Sequence, residues 1–334
     1  MNAITRHIPL WFKEPVSFFL QELRYQSLGF AFDHAWCSFV DLYPCSEKTR
    51  KRAYVHCQRR VATYLQRHYA DMIREKAGKY TQGVYEKVFP IWMFWWNGEK
   101  DAPEVVRACI ENTRRMAGDH PVYVLSAQNY MDFVSLKPIV VHRLQEGNIS
   151  VTHFSDILRM NLLAEYGGLW LDATIFCTRP IDGLQFEQPL FSGKNPGNDF
   201  TNVSGWNWTT YAMYGWRGNR LYSLVRDFFN QYLEDHTHFI DYFLMDHAIR
   251  LVSSECREVQ QELEAIEPNN TDVYYLHRHF EEAYSEDLVT EYRESETWLY
   301  KLTWKKAYAL VTEKGEETLY ARWLKENKRE NTDA

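Results

Sequence analysis

Phe154-Ser-Asp-Ile-Leu-Arg-Met-Asn-Leu-Leu-Ala-Glu-Tyr-Gly-Gly-Leu-Trp-Leu-Asp-Ala-Thr-Ile-Phe176 joins an apolar helical repeat, a double glycine and an apolar run that ends in an acid. Its first half reads as a helix over 154–166, because Ile157, Leu158, Leu162 and Leu163 recur at helical spacing and make one apolar face. Gly167 and Gly168 end that helix, since glycine accepts the left-handed backbone that a helix terminus needs. Leu169 to Phe176 then reads as a strand that ends in polar groups. Side chains alternate along a strand, so Trp170 and Asp172 point one way while Leu169 and Leu171 point the other.

Upstream, Val88-Phe-Pro-Ile-Trp-Met-Phe-Trp-Trp96 is a short continuous apolar run that stops at the Asn97-Gly98 turn signal. Such a run suits a central strand buried on both faces of a mostly parallel sheet. Asp101 and Pro103 open a helix whose buried stripe is Val105, Val106, Cys109, Ile110, Thr113 and Met116, with Gly118 closing it. Pro121 to Leu125 is a second strand. Strand, helix, strand is a βαβ unit, which predicts an α/β fold with a doubly wound parallel sheet. Further helical segments are expected near 128–135 and 138–146, long loops over 180–220, helices over 221–234 and 240–264, and a charged tail from 313 that ends in a solvated helix.

Residues 10–42 read as one or two short helices. Pro44 and Ser46 open a longer one, with Tyr54, Val61, Leu65, Tyr69 and Met72 on one face and a stop at Gly78. Lys51, Arg52, Arg59, Arg60 and Arg67 lie on the opposite face. Residues 1–85 therefore read as a helical extension with a basic face, and 86–334 as the main domain.

The chain has 334 residues and is 45% apolar, enough for a sizeable core with an appendage. An aromatic share of 16% suits stacking on sugar rings and equally suits a core built from large residues. The net charge of −7 is uneven. Thirteen Lys and Arg against seven Asp and Glu make residues 1–85 about +6, while the remainder is about −13. An acidic main body argues against nucleic-acid binding, which favours basic surfaces. The basic extension could face anionic lipid or be a solvated helix face. Six scattered cysteines contain no Cys-x-x-Cys pair, which fits free thiols in a reducing compartment. The first thirty residues lack the apolar centre of a signal peptide, and no run reaches the roughly eighteen apolar residues of a membrane span. The expected location is cytoplasmic, with peripheral contact at the inner face of a membrane.

Asp172 stands where an apolar strand gives way to polar Thr174. An acid at a strand's carboxyl end faces the crevice where open α/β sheets bind ligands. A buried carboxylate needs a partner. A divalent cation is one; Arg159, which shares a helix face with Asp156, is another. The residues alone leave both open.

Ser155-Asp156-Ile-Leu-Arg159, Leu162-Leu163 and Tyr166-Gly-Gly-Leu-Trp-Leu-Asp172-Ala-Thr174 together resemble the signature of the capsular polysaccharide synthesis proteins. These are similar to glycosyltransferase family 32 and the wider GT-A glycosyltransferases. The resemblance extends to Ile91–Gly98 with Ala102-Pro103, to Asp241-Tyr-Phe-Leu-Met-Asp246-His247, and to Lys301-Leu-Thr-Trp-Lys305, covering roughly residues 88–306. It implies a GT-A-type, Rossmann-like sheet flanked by helices. It also implies transfer of a sugar from a nucleotide-sugar donor, UDP-linked by default, to a glycan or lipid-linked glycan acceptor in bacterial capsular or other surface polysaccharide synthesis.

By the same resemblance a DxD motif would hold Mn²⁺ or Mg²⁺ on the donor's diphosphate. Its positions here are Asp172 and Thr174, so a threonine replaces the second acid and His247 becomes the expected further ligand, with Asp246 as its alternative. Ser155, Asp156 and Arg159 would lie near the nucleotide and donor sugar, and Trp92 near the base. Lys301 and Lys305 would touch phosphate, or be surface lysines. A cation plus Arg or Lys would stabilise the leaving group, and Asp246 or Asp156 the positive charge on the sugar. The family is regarded as retaining, which requires no strong general base. The aromatics Trp206, Trp208, Tyr211, Tyr214 and Trp216 would form an acceptor platform or pack onto the sheet. Two other readings stay open: a nucleotide-sugar hydrolase, and a catalytically silent scaffold of a polysaccharide-synthesis complex.

Overall fold

Ser46 caps the longest helix among the described residues, its Oγ accepting the Thr49 amide at 3.2 Å. The computed structural model describes residues 28–181, 186–197 and 199–328. The expectations for residues 10–27 lie outside them. Helix α1 spans Leu28–Leu42 and α2 spans Glu47–Ala77, ending at Gly78 as its sequence predicts. The buried residues of α2 include Cys57, Val61, Leu65, Tyr69 and Ile73, one per turn. From Val61 to Ile73 that stripe shares one apolar core with Trp92, Phe154 and Phe228 of the sheet region, so α2 packs directly on the main body. Polar contacts tie it down at the edges: Tyr69 donates to Asp235 at 3.1 Å and Lys76 to Asp227 at 2.9 Å. On the other flank Arg60 meets the buried Asp33 of α1 at 2.6 Å.

The sheet begins with β1 (Ile91–Phe94), every residue of which is buried. Helix α3 (Glu104–Met116) leads to β2 (Val122–Leu125), which pairs parallel to β1 with Ile91 opposite Val122. Helices α4 (Pro138–Gln145) and α5 (Val151–Glu165) precede β3 (Gly168–Leu171), parallel to β1 on its other side. The expected helix at 128–135 is only a 3₁₀ turn, Tyr130–Asp132. Two strands hide in the segment read as loops: β5 (Leu190–Ser192) and β6 (Ala212–Gly215). They are three and four residues long, too short to leave a periodic pattern. The strand order is β2-β1-β3-β6-β5, with β6 antiparallel to both neighbours, so four of the five strands run one way.

Alternation divides the interior. Ile91, Met93, Leu169 and Leu171 enter a core with α3, whereas Trp92, Phe94 and Trp170 enter the core shared with α2 and α5. Each fully buried Leu on these faces contributes about 1.5–3 kcal/mol. Helices α6 (Arg220–Asp235), α7 (Leu244–Glu255) and α8 (Arg257–Glu264) follow. The single helix read over 240–264 is therefore two, broken where Cys256 adopts an extended backbone. Short helices α9 (Tyr275–His279) and α10 (Glu286–Glu294) lead to β7 (Leu299–Lys301). The tail helix α11 (Leu319–Asn327) is not simply solvated: Trp323 is buried edge-on to Phe176, with centroids 5.2 Å apart. No described helix is long and apolar enough to cross a membrane.

One continuous strand over 169–176 does not form. The chain turns after Leu171, closed by the Ile175 amide on the Asp172 carbonyl at 2.9 Å. It then enters β4 (Ile175–Cys177), which pairs antiparallel with β7 in a separate two-stranded sheet. The two glycines at the start of β3 are sterically required. A Cβ on Gly168, whose φ is +88°, would lie 2.1 Å from the Pro90 carbonyl oxygen, and one on Gly167 would lie 2.5 Å from the Arg217 amide.

Candidate active site

The turn at Asp172 opens onto a cavity of about 710 Å³. Its walls come from the carboxyl ends of β1 and β3, the first turns of α5, and the segment 301–305. Open α/β sheets bind ligands at this edge. Ser155, Arg159, Asp172, Thr174, Lys301 and Lys305, all singled out from sequence, line it together.

Asp172 is the hub. Its Oδ1 accepts the Trp170 indole N–H at 2.9 Å and an Arg159 N–H at 3.2 Å, and its Oδ2 accepts Lys301 Nζ at 2.6 Å. Burial pushes the carboxyl up, but Lys301 and Arg159 outweigh it and hold Asp172 down at about 2. Arg159 is 5% exposed, which would be costly without compensation. It gains that compensation from Asp172, from Asp156 at 3.6 Å, and from the Trp170 ring, 4.7 Å below its guanidinium. The strand pairing explains the lysine. Lys301 stands opposite Ile175 in the β4–β7 ladder, and the Leu302 amide donates to the Thr174 carbonyl at 2.9 Å. The 301–305 segment is thereby laid against the Asp172 turn.

Two further acids lie deeper. Burial raises Asp156 to about 7, opposed by Arg159 and reinforced by the charges of Asp246 and Asp172. Burial likewise raises Asp246 to about 6, against the Trp208 N–H that it accepts at 2.9 Å. Neither lines the cavity, so Asp172 is its one carboxylate among the described residues.

Trp92 and His247 are not placed as expected, and the 206–216 aromatics resolve to packing. Trp92 is 2% exposed, stacked 5.0 Å from Tyr123, and donates to the Gly167 carbonyl at 2.9 Å. It braces the double glycine instead of meeting a ligand, because it sits inside β1 and not at its end. The cavity wall is instead Phe94, Trp95 and Trp96. His247 does not line the Asp172 cavity. It is buried on α7, 4.0 Å from Asp241, and borders a different cavity of about 620 Å³ with Lys51, Arg59 and Arg250. Of the 206–216 aromatics, Trp208, Tyr211 and Tyr214 are buried, Tyr214 within β6, and none of the five lines the Asp172 cavity.

Sequence reasoning missed Trp95, Trp304, Tyr242, Tyr274 and His277, all at the rim. Trp304 is 48% exposed and meets Trp95 edge-on at 5.5 Å. Trp304 and Tyr242 stood inside quoted blocks, between residues chosen for their charge. Tyr274 and His277 carried no local signal.

The arrangement can hold an anion between Lys301, Lys305 and Arg159 and offer aromatic faces to a ring. For a divalent ion its motif positions supply one carboxylate and one neutral hydroxyl. Three N–H donors already occupy Asp172, the second motif position is a threonine, and His247 is elsewhere. Among the described residues no cluster of three or more His, Cys, Asp or Glu could coordinate a metal.

The protein O-glycosyltransferase braB from Annulohypoxylon truncatum is 32% identical over 103 residues, which are 28% of this chain and 24% of that protein. The chain thus spans about a quarter of that curated relative's length. The solved structure titled PaToxG Glycosyltransferase superposes with a TM-score of 0.41 at 12% identity, covering 62% of this chain and 83% of that one. The family model described as capsular polysaccharide synthesis protein matches residues 43–323, from the start of α2 through Asp172 and Lys301 into α11. The chain belongs to the capsular polysaccharide synthesis protein family.

Proposed function

We propose that the chain transfers a sugar from a nucleotide-linked donor, with UDP as the first candidate, to a hydroxyl of a glycan or lipid-linked glycan acceptor during polysaccharide synthesis. One observation carries the reading: a cavity at the carboxyl edge of the sheet sets two lysines and a buried arginine around a single carboxylate. That charge balance suits a diphosphate, and the rim of Trp95, Trp304, Tyr242 and Tyr274 suits a base and a sugar ring. The relative named O-glycosyltransferase and the family description point the same way.

In this reading the bond from the anomeric carbon to the diphosphate breaks, and its electron pair stays on the leaving phosphate oxygen. The acceptor oxygen forms the new bond to the anomeric carbon. Its proton passes to the departing phosphate, because Asp172, held at about 2 by its cations, is a poor base at neutral pH. This route retains the anomeric configuration. Lys301 and Arg159 stabilise the charge on the leaving group, and Lys305 contacts the donor phosphates. Contact with anionic lipid through Lys51, Arg52 and Arg67, exposed on α2, belongs to the same proposal. The test is a panel of nucleotide sugars assayed for released nucleoside diphosphate, with and without oligosaccharide acceptors. Acceptor-dependent release supports transfer, equal release without acceptor supports the hydrolase, and no binding or release by any donor leaves the scaffold.

A further inference from the structure

We infer that Lys301, held on Asp172, supplies the leaving-group cation itself, so that transfer proceeds without a divalent metal. The inference rests on the proposed glycosyl transfer and concerns which positive charge meets the diphosphate.

Three observations combine. First, the Asp172 carboxylate is committed. Lys301 at 2.6 Å, Trp170 at 2.9 Å and Arg159 at 3.2 Å use three of its lone-pair sites. A divalent ion on the remaining site would sit beside two fixed cations and face their repulsion. Second, the cavity offers no second acid. Thr174 stands at the position two residues on, and its neutral hydroxyl brings no charge to offset a divalent cation. His247, the imidazole expected to complete the set, borders another cavity. Third, the lysine is built in. Lys301 is the last residue of β7, in register with Ile175, and its ammonium lies 5.7 Å from the Tyr211 ring centre. The same ladder delivers Lys305 to the same wall.

The charges balance without a metal. Asp172 offsets one of the two cations on it, and Asp156, 3.6 Å from Arg159, answers part of the other, so the surplus that faces the cavity comes chiefly from Lys301 and Lys305. When the anomeric bond breaks, the added negative charge on the diphosphate meets that surplus. Asp172 then acts as the positioning residue that aims Lys301.

The test uses the full chain, stripped with EDTA and assayed with the donor panel in EDTA and in excess Mn²⁺ or Mg²⁺. The expected result is turnover in EDTA within about twofold of that with metal, with Lys301→Ala lowering kcat by about 10²–10³-fold, the loss typical of a missing charge-stabilising donor. Lys301→Arg, which keeps the charge, restores part of that loss. Calorimetry of Mn²⁺ alone is expected to give no heat that Asp172→Ala removes. Turnover that needs added metal, or Asp172-dependent Mn²⁺ binding, overturns the inference and leaves the glycosyl-transfer reading standing. No turnover of any donor in either condition removes that reading, and the inference with it.

Discussion

Lys301 stands opposite Ile175 in the β4–β7 ladder, and from that register its ammonium reaches back to Asp172 at 2.6 Å. A pair separated by 129 residues is thus brought together by backbone pairing. Arg159 approaches the same carboxylate from α5 at 3.2 Å. The carboxylate therefore holds together a helix, a strand end and a later ladder.

Asp172→Asn removes the charge that both cations answer. Donor turnover is expected to fall about 10²–10³-fold, as for loss of a preorganised electrostatic contact. Stability carries a separate signature. Asp172 is held at about 2 in the fold, below the ordinary carboxylate value of 3.8. Its contribution is then fully present above pH 4 and disappears as pH falls toward 2, with a size of roughly 2 kcal/mol. Melting curves between pH 2 and 5 check this: the difference in Tm between wild type and Asp172→Asn should shrink as pH falls. A difference that stays constant over that range would mean that the cations do not act on Asp172 as the distances imply.

Gly168→Ala tests the turn that delivers Asp172. The new Cβ would meet the Pro90 carbonyl oxygen at 2.1 Å, with φ at +88°. That oxygen accepts the Leu169 amide at 2.9 Å, so it cannot retreat without opening the β1–β3 pairing. The expected cost is about 3 kcal/mol or more, enough to lower soluble yield sharply. Gly147→Ala is the control. Gly147 also has positive φ, at +70°, but nothing lies within 4 Å of its Cβ position, so only the backbone strain of about 1 kcal/mol remains. Chemical denaturation of both variants measures the gap.

The contrast between these sites explains what was legible in the chain. Helices α2, α3 and α5 were readable because each carries a long repeat with a marked end, such as Ser46 or Gly167. The union of Ser155, Arg159, Asp172 and Lys301 was readable through the resemblance, since local pattern links the first three but not the last. Strands β5, β6 and β7 were not readable: three or four residues give no period, and their pairing is decided by distant partners. Likewise nothing local separates Trp92, inside its strand, from Trp95, one residue past its end. His247 and Asp246 are adjacent in sequence, yet on a helix adjacent side chains diverge. Asp246 turns toward Trp208 and His247 toward the second cavity.

Asp156 predicts a second pH effect of opposite sign. Burial raises it to about 7, above its ordinary 3.8. A group raised in the fold contributes stability at low pH that is lost as pH rises toward its folded value. Its ionisation is then disfavoured relative to the unfolded chain. Asp156→Asn removes that cost and keeps the size of the side chain. The variant is expected to gain roughly 2 kcal/mol relative to wild type between pH 5 and pH 8. Urea titrations at the two pH values give this difference directly. An equal effect at both would show that Arg159, 3.6 Å away, keeps Asp156 ionised throughout.

Lys305 and Trp304 separate donor binding from chemistry. Lys305 is exposed on the cavity wall, and Trp304 is 48% exposed against the edge of Trp95. Neither contacts Asp172, and truncating an exposed side chain leaves the core intact. Lys305→Ala is expected to raise donor KM about tenfold, near 1.4 kcal/mol, and to flatten the salt dependence of binding. Trp304→Ala is expected to raise KM by a similar factor through lost stacking, with the salt dependence unchanged. Initial rates over a range of donor and salt concentrations distinguish the two. If both variants bound donor as wild type does, the diphosphate and its ring would have to lie elsewhere, and the wall formed by residues 301–305 would be structural.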